Sequence, residues 1–315
     1  MNPQYDATGR LRHLLTLEDM PIALLDDLLD RAGALLEAAR GGRSCRERLA
    51  GKTLCTLFFE TSTRTRSSFQ LAGVRMGMDV LGFDVSTSST SKGESAIDTL
   101  RTLEAMGVDA FAVRHSDDAA VAELASAAAP GTVLINAGAG RAAHPTQGLL
   151  DMLTLRRHKG RDFSRLNVLI VGDIKHSRVA RSDLHALRAL GTGSIRACGP
   201  AALLPEDGTL AGVEVMQDFD AALDGVDVVM MLRLQRERMV EGLVPSLEGY
   251  FQDYGLTPQR LARARPDAIV LHPGPMNRGV EIDSAVADGP QSCILEQVGN
   301  GVAVRMAVLE ALLGS

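Results

Sequence analysis

The chain has 315 residues, 45% of them hydrophobic and 23% charged, enough for one large core or two of roughly 150 residues each. Three Tyr, eight Phe and no Trp argue against the aromatic platforms that hold single-stranded nucleic acid, and a net charge of −6 without long runs of one sign means that any anion site must be a local concentration of charge. No stretch approaches the ~18 uninterrupted apolar residues of a membrane span, and the first twenty residues mix both charge signs, so neither a membrane nor a nucleic-acid partner is expected and the protein reads as cytoplasmic.

Apolar runs of four to seven residues alternate with amphipathic stretches of helical length, the pattern of a parallel sheet covered by helices on both faces. The first half carries expected strands at 53–59, 79–83, 109–113 and 132–136, with helices at 63–76 and 95–106 between them. A helix after Pro145, with Leu149, Leu150 and Leu153 on one face, marks the junction. Beyond it, strands are expected at 167–171, 194–197, 213–216, 227–232 and 268–271, and Thr257 followed by Pro258 opens a helix over 259–264. Leu295, Val298, Val302, Met306, Leu309 and Leu313 form one face of a terminal helix expected to pack back on the first half. The fold class is therefore α/β with two domains, each a mainly parallel sheet flanked by helices, over 1–145 plus 296–315 and over 146–295. Cys45, Cys55, Cys198 and Cys293 are too scattered for a zinc site, and no metal or other cofactor is expected.

The segment LFFETSTRTRSSF, residues 57–69, runs a buried strand into a helix start rich in hydroxyl and guanidinium groups. Ser62, Thr63 and Thr65 converge with the free backbone N–H groups there, and Arg64 adds a planar fork, which together suit a phosphate. The plainer alternative is a capped surface helix with solvated arginines. Lys92 beside Gly93 is a cation on a hinge, and Arg114 closes the strand VDAFAVRH at the sheet edge where α/β folds bind ligands. His144 and Gln147 follow the next strand and its loop. Within that loop, GAGRAA matches a dinucleotide-binding pattern, but Pro145 directly after it and the lack of an acid at a following strand end speak against such a cofactor. In the second half, Arg178 stands at a strand-to-helix turn, while Arg233 and Gln235 stand at a strand end.

Taken together these phrases resemble the aspartate and ornithine carbamoyltransferases over nearly the whole chain. STRTR resembles their carbamoyl-phosphate signature, and SSTSKGES their mobile loop, whose serine and lysine, here Ser88 and Lys92, serve the neighbouring subunit's site. The resemblance implies that Ser62, Thr63, Arg64, Thr65, Ser88, Arg114, His144, Gln147, Pro273 and Gly274 bind carbamoyl phosphate, the last two through backbone carbonyls of HPGPMNRG. It implies aspartate binding by Lys92, Arg178, Arg233 and Gln235, and a catalytic group of Arg64, Thr65, Lys92, Arg114 and His144. MLRLQRER and HPGP stand where ornithine enzymes carry an SMG phrase and a cysteine, so the implied reaction is carbamoyl transfer to L-aspartate, early in pyrimidine synthesis. A carbamoyltransferase for another amino acid such as ornithine, or a silent carbamoyl-phosphate-binding subunit, are the alternatives. The family further implies an active site in the interdomain cleft, a homotrimer with shared sites, and Glu60 in an ion pair between domains. The leading phrase ATGRLRHLLTLEDMP looks most like members that form a dodecamer with a dihydroorotase or dihydroorotase-like chain.

Overall fold

A computed structural model describes residues 3–84, 93–235 and 246–314. In chain order its elements are α1 (Ile22–Arg40), β1 (Thr53–Phe58), α2 (Thr63–Met76), β2 (Asp79–Asp84), α3 (Ala96–Ala105), β3 (Ala110–His115), α4 (Ala120–Ala127), β4 (Val133–Ala139), α5 (Pro145–Lys159), β5 (Asn167–Val171), α6 (Arg178–Ala189), β6 (Ser194–Cys198), β7 (Glu214–Met216), α7 (Phe219–Ala222), β8 (Val228–Met231), α8 (Leu247–Tyr254), α9 (Pro258–Leu261), β9 (Ile269–Leu271), α10 (Ser284–Ala287) and α11 (Ile294–Leu313). They form two compact units, one of residues up to Leu153 together with those from Val298 onward, the other of Thr154–Gln297. Among the described residues no helix is long and apolar enough to cross a membrane.

The first unit is built on a parallel sheet in the order β2-β1-β3-β4. β1 and β3 are buried along nearly their whole length, which is why TLCTLF and AFAV read as continuous apolar runs without alternation. Cys55, Leu57, Phe111, Val113 and Leu134 of this sheet pack against Leu100 and Leu103 of α3 and Val121 and Leu124 of α4. α2 ends at Gly77, whose φ of +86° and contact with the Arg46 carbonyl leave no room for a Cβ. The second unit carries the order β7-β6-β5-β8-β9, again wholly parallel. Its core joins Leu169, Val171, Val229, Met231 and Val270 of the sheet to Phe219, Leu223, Leu261 and Val286.

The expected strands are all present, with two informative differences. β4 runs on through Ala137, Gly138 and Ala139, residues expected in a loop, because His115 of a lengthened β3 pairs with Ala139. The helix expected at 259–264 stops at Leu261. The leading segment is also more ordered than its sequence suggests. Leu14 pairs in parallel with Ile135, its N–H donating to the Leu134 carbonyl at 2.9 Å and its own carbonyl accepting from Asn136 at 2.8 Å. Gln4 is buried, and its Oε1 accepts from the N–H groups of Leu15 and Thr16. The turn at residues 6–10 is exposed, whereas removing everything before Leu14 would take away the buried Gln4 and His13, whose side chains accept the N–H groups of Leu15, Thr16 and Leu134.

His13 lies in this seam with no solvent exposure, and its Nδ1 accepts the Leu134 N–H at 3.0 Å, which requires an unprotonated nitrogen there. Burial, helped by neighbouring Arg12, pulls its pKa from 6.5 down to about 4. The unfolded chain therefore binds a proton that the fold refuses, so stability is undiminished above pH 6.5 and falls as the pH drops toward 4. Denaturant unfolding should show this one group costing about 2 kcal/mol between pH 7 and pH 5. A His13→Gln variant should lose that part of the pH dependence; an unchanged slope would contradict the assignment.

Candidate active site

In a parallel sheet every strand leaves by the same edge, and a crevice opens where the strand order reverses direction. In the first unit that reversal lies between β1 and β3, since β2 was laid on one side of β1 and β3 on the other. The exit of β1 leads through Glu60 and Thr61 into α2, and Phe58 is in register with Arg114 of β3. Ser62 takes the N-cap place in extended conformation without a side-chain capping bond, so its hydroxyl is not spent on its own helix. Thr63 and Arg64 are exposed, whereas Thr65 is buried and its carbonyl accepts from the Ser68 hydroxyl at 2.9 Å.

Arg114 sits where the β3–β4 register slips, a bulge that turns a strand residue out of regular alternation. Its Nη1 donates to the Ala137 carbonyl at 3.3 Å, and its Nε lies 3.3 Å from a Glu60 carboxylate oxygen. Glu60, expected in an ion pair between domains, thus has an ionic partner inside its own unit. His144 and Gln147, at the start of α5, are both buried. Gln147 directs its amide nitrogen to Asp151, at 3.1 and 3.2 Å from the two carboxylate oxygens.

The GAGRAA segment is spent locally. Asp118 Oδ1 accepts from the N–H groups of Arg141 and Ala142 at 2.5 and 3.1 Å, occupying the backbone donors that a pyrophosphate would need.

In the second unit the reversal falls between β5 and β8. Arg178 is the first residue of α6 after β5 and is buried, while Arg233 and Gln235 follow β8 and are half-buried. The two exits are tied together: Gln235 Nε2 donates to the His176 carbonyl at 3.0 Å, and His176 Nδ1 lies 2.7 Å from Asp173 Oδ1. Burial raises the Asp173 pKa, with His176 pulling it back. Gly172 opens this turn at φ +117°, and a Cβ there would lie 3.0 Å from the Tyr250 hydroxyl.

Pro273 and Gly274 follow β9. His272 and Glu281 are both fully buried. His272 Nδ1 accepts the Gly274 N–H at 2.8 Å, so its Nε2 carries the hydrogen given to Glu281 at 3.1 Å. Glu281 also accepts the Asn277 N–H at 2.5 Å. This clamp fixes the HPGP turn, whose Gly274 at φ +64° adopts a backbone conformation that favours glycine.

Ser88 and Lys92 lie outside the described residues. Sequence reasoning missed Asp151, Asp173 and Glu281, which hold other site residues. The i, i+4 spacing of Gln147 and Asp151 was the only signal of the three readable in advance. Burial pushes the Cys55 and Cys198 thiols up to about 12, leaving them inert. Among the described residues one group of mixed donors gathers, with His158 Nε2 at 2.8 Å from Glu296 Oε2 and 3.5 Å from Cys293 Sγ. Arg157 Nε, 2.8 Å from the other Glu296 oxygen, makes this an ion-pair cluster that disfavours a further cation.

Residues 12–157 match the family described as Aspartate/ornithine carbamoyltransferase, carbamoyl-P binding domain, and residues 164–312 match its Asp/Orn binding domain. The chain is 70% identical over 311 residues, 99% of each chain, to an aspartate carbamoyltransferase catalytic subunit of Xanthomonas euvesicatoria. It resembles the aspartate transcarbamoylase of Trypanosoma cruzi solved with carbamoyl phosphate and aspartate, with TM-score 0.86 at 30% identity, covering 98% of this chain and 99% of that one. It also resembles the ornithine carbamoyltransferase of Thermus thermophilus, with TM-score 0.84 at 28% identity, covering 96% of this chain and 99% of that one, so backbone likeness does not separate the two acceptors.

Proposed function

The chain belongs to the aspartate/ornithine carbamoyltransferase family, and from that premise we infer its reaction: it transfers the carbamoyl group of carbamoyl phosphate to the α-amino group of L-aspartate. The products are N-carbamoyl-L-aspartate and phosphate, in an early step of pyrimidine synthesis. Whole-length likeness to an aspartate enzyme carries the choice of acceptor. The placement of Arg178 and Arg233 at the exits of neighbouring strands β5 and β8 agrees with it, since two guanidinium forks suit the two carboxylates of aspartate.

Carbamoyl phosphate is held by Ser62, Thr63, Arg64 and Thr65 at the start of α2 and by Arg114 at the end of β3. Gln147 and the carbonyls of Pro273 and Gly274 accept its amide hydrogens. Aspartate is held by Arg178, Arg233 and Gln235, with Lys92 supplying a further cation. The neutral amine attacks the carbamoyl carbon, and the charge growing on its oxygen is met by Thr65, Arg114 and His144 as an oxyanion hole. The C–O bond to phosphate then breaks, and the departing dianion is basic enough to take the amine proton. No separate general base is required, and most of the acceleration comes from positioning.

The protein works as a homotrimer in which Ser88 and Lys92 complete a neighbour's site. It works in the cytoplasm, in keeping with four free cysteines. The exposed turn at residues 6–10 offers a docking point in the leading segment for a dihydroorotase or dihydroorotase-like chain in a dodecamer.

With purified protein, carbamoyl phosphate and aspartate should yield carbamoyl aspartate. Arg64→Ala should keep the thermal unfolding profile and lose ~3–5 kcal/mol of transition-state stabilisation, because a charged contact to phosphate disappears while its helix stays. Mixing inactive Arg64→Ala chains with inactive Lys92→Ala chains should restore activity, since every mixed trimer contains one interface where both residues are intact. Near-normal turnover of Arg64→Ala would refute the phosphate assignment, and verified hybrids without recovery would refute the shared site. Co-expression with the same organism's dihydroorotase-like chain should give a larger particle by light scattering, weakened when residues 6–10 are replaced by a Gly-Ser turn. A trimer that ignores that chain at micromolar concentration would defeat the dodecamer.

A further inference from the structure

The C-terminal helix brings a fully buried cation beside the predicted carbamoyl site. Arg305 of α11 is 3% exposed, its guanidinium lies 5.0 Å from the Phe69 ring centroid on α2, and its Nη1 donates to the Gly301 carbonyl at 2.8 Å. Gly301 is the reason it fits, because a Cβ there would stand 2.5 Å from Nη1. Glycine inside a helix is otherwise unfavourable by about 1 kcal/mol, so the cavity for the guanidinium is specified by sequence at a cost. Burial pulls the Arg305 pKa to about 10, with Asp151 acting in the opposite direction, so the group stays cationic at neutral pH. Asp151, 1% exposed, is the carboxylate whose charge acts on that cation.

A carboxylate only accepts hydrogen bonds, so whichever end of the Gln147 carboxamide faces Asp151 must be the nitrogen. The contacts at 3.1 and 3.2 Å are of that kind. The amide oxygen is then left turned away from Asp151, as an acceptor in fixed orientation. Resting on the function proposed above, we propose that Asp151, backed by Arg305, is a positioning residue that makes the enzyme select an amino-bearing acyl phosphate, by holding the Gln147 oxygen toward the carbamoyl N–H groups. A methyl group in their place offers no hydrogen to that oxygen and leaves a buried acceptor unmatched.

The test uses the intact enzyme with aspartate and two donors, carbamoyl phosphate and acetyl phosphate, which differ by amino against methyl. Asp151→Asn is nearly isosteric but can donate to Gln147, which lets the carboxamide turn over. The ratio of kcat/KM for carbamoyl phosphate to that for acetyl phosphate should fall about tenfold, the worth of one hydrogen bond. If acetyl phosphate turns over too slowly, its inhibition constant against carbamoyl phosphate replaces its kcat/KM. Inhibition by inorganic phosphate should not change, which separates this effect from general damage to the site. Should the single variant fail to fold, Asp151→Asn with Arg305→Gln removes both charges together and should show the same loss of preference. A folded variant with wild-type preference overturns the inference and leaves the reaction standing. A wild-type enzyme that does not use carbamoyl phosphate overturns both.

Discussion

Everything proposed for this protein depends on one constraint: strands that are all parallel must all end on the same edge of their sheet. In each unit the chain lays strands on both sides of its first strand, and the crevice between β1 and β3, or between β5 and β8, is where two exits face the same space. Ser62 to Thr65 follow the exit of β1 and Arg114 ends the neighbouring β3 although about fifty residues separate them, and Arg178 and Arg233 follow the neighbouring strands β5 and β8. Buried apolar strands set the edges, helix starts add unpaired N–H groups, and side chains of the right charge complete each half-site.

A second layer makes those exits rigid. Asp173 with His176 and Gln235, His272 with Glu281, and Asp151 with Gln147 are each a buried carboxylate spent on orienting a neighbour. In a medium of low polarity such bonds are strong when complete and costly when broken, so each fixes one arrangement of the side chains or turn it holds. The same physics governs His13, whose neutral nitrogen secures the leading segment to β4 and makes that seam sensitive to acid.

Much of the fold was legible because buried parallel strands write themselves as unbroken apolar runs, and the strand-exit motifs were legible because their residue types are unusual at such places. Other features were hidden for definite reasons. The extension of β4 to Ala139 depends on pairing with His115, which no local pattern announces. The ion pair of Glu60 with Arg114 joins residues over fifty positions apart, brought close by the β1–β3 register. The place of Gly301 inside a helix depends on the Arg305 guanidinium beside it, which sequence spacing does not show. The ordered Gln4 and Leu14 gave no signal in a leading segment of mixed charge.

The central claim is that two arginines at the second crevice read a dicarboxylic acceptor, and acceptor choice tests it most directly. Initial rates at saturating carbamoyl phosphate should be measured with aspartate, asparagine and ornithine in turn. Removing one carboxylate leaves a guanidinium unpaired, so asparagine should be at least ~100-fold poorer than aspartate in kcat/KM, and ornithine should give no detectable citrulline. Comparable rates with asparagine or with ornithine would contradict the account.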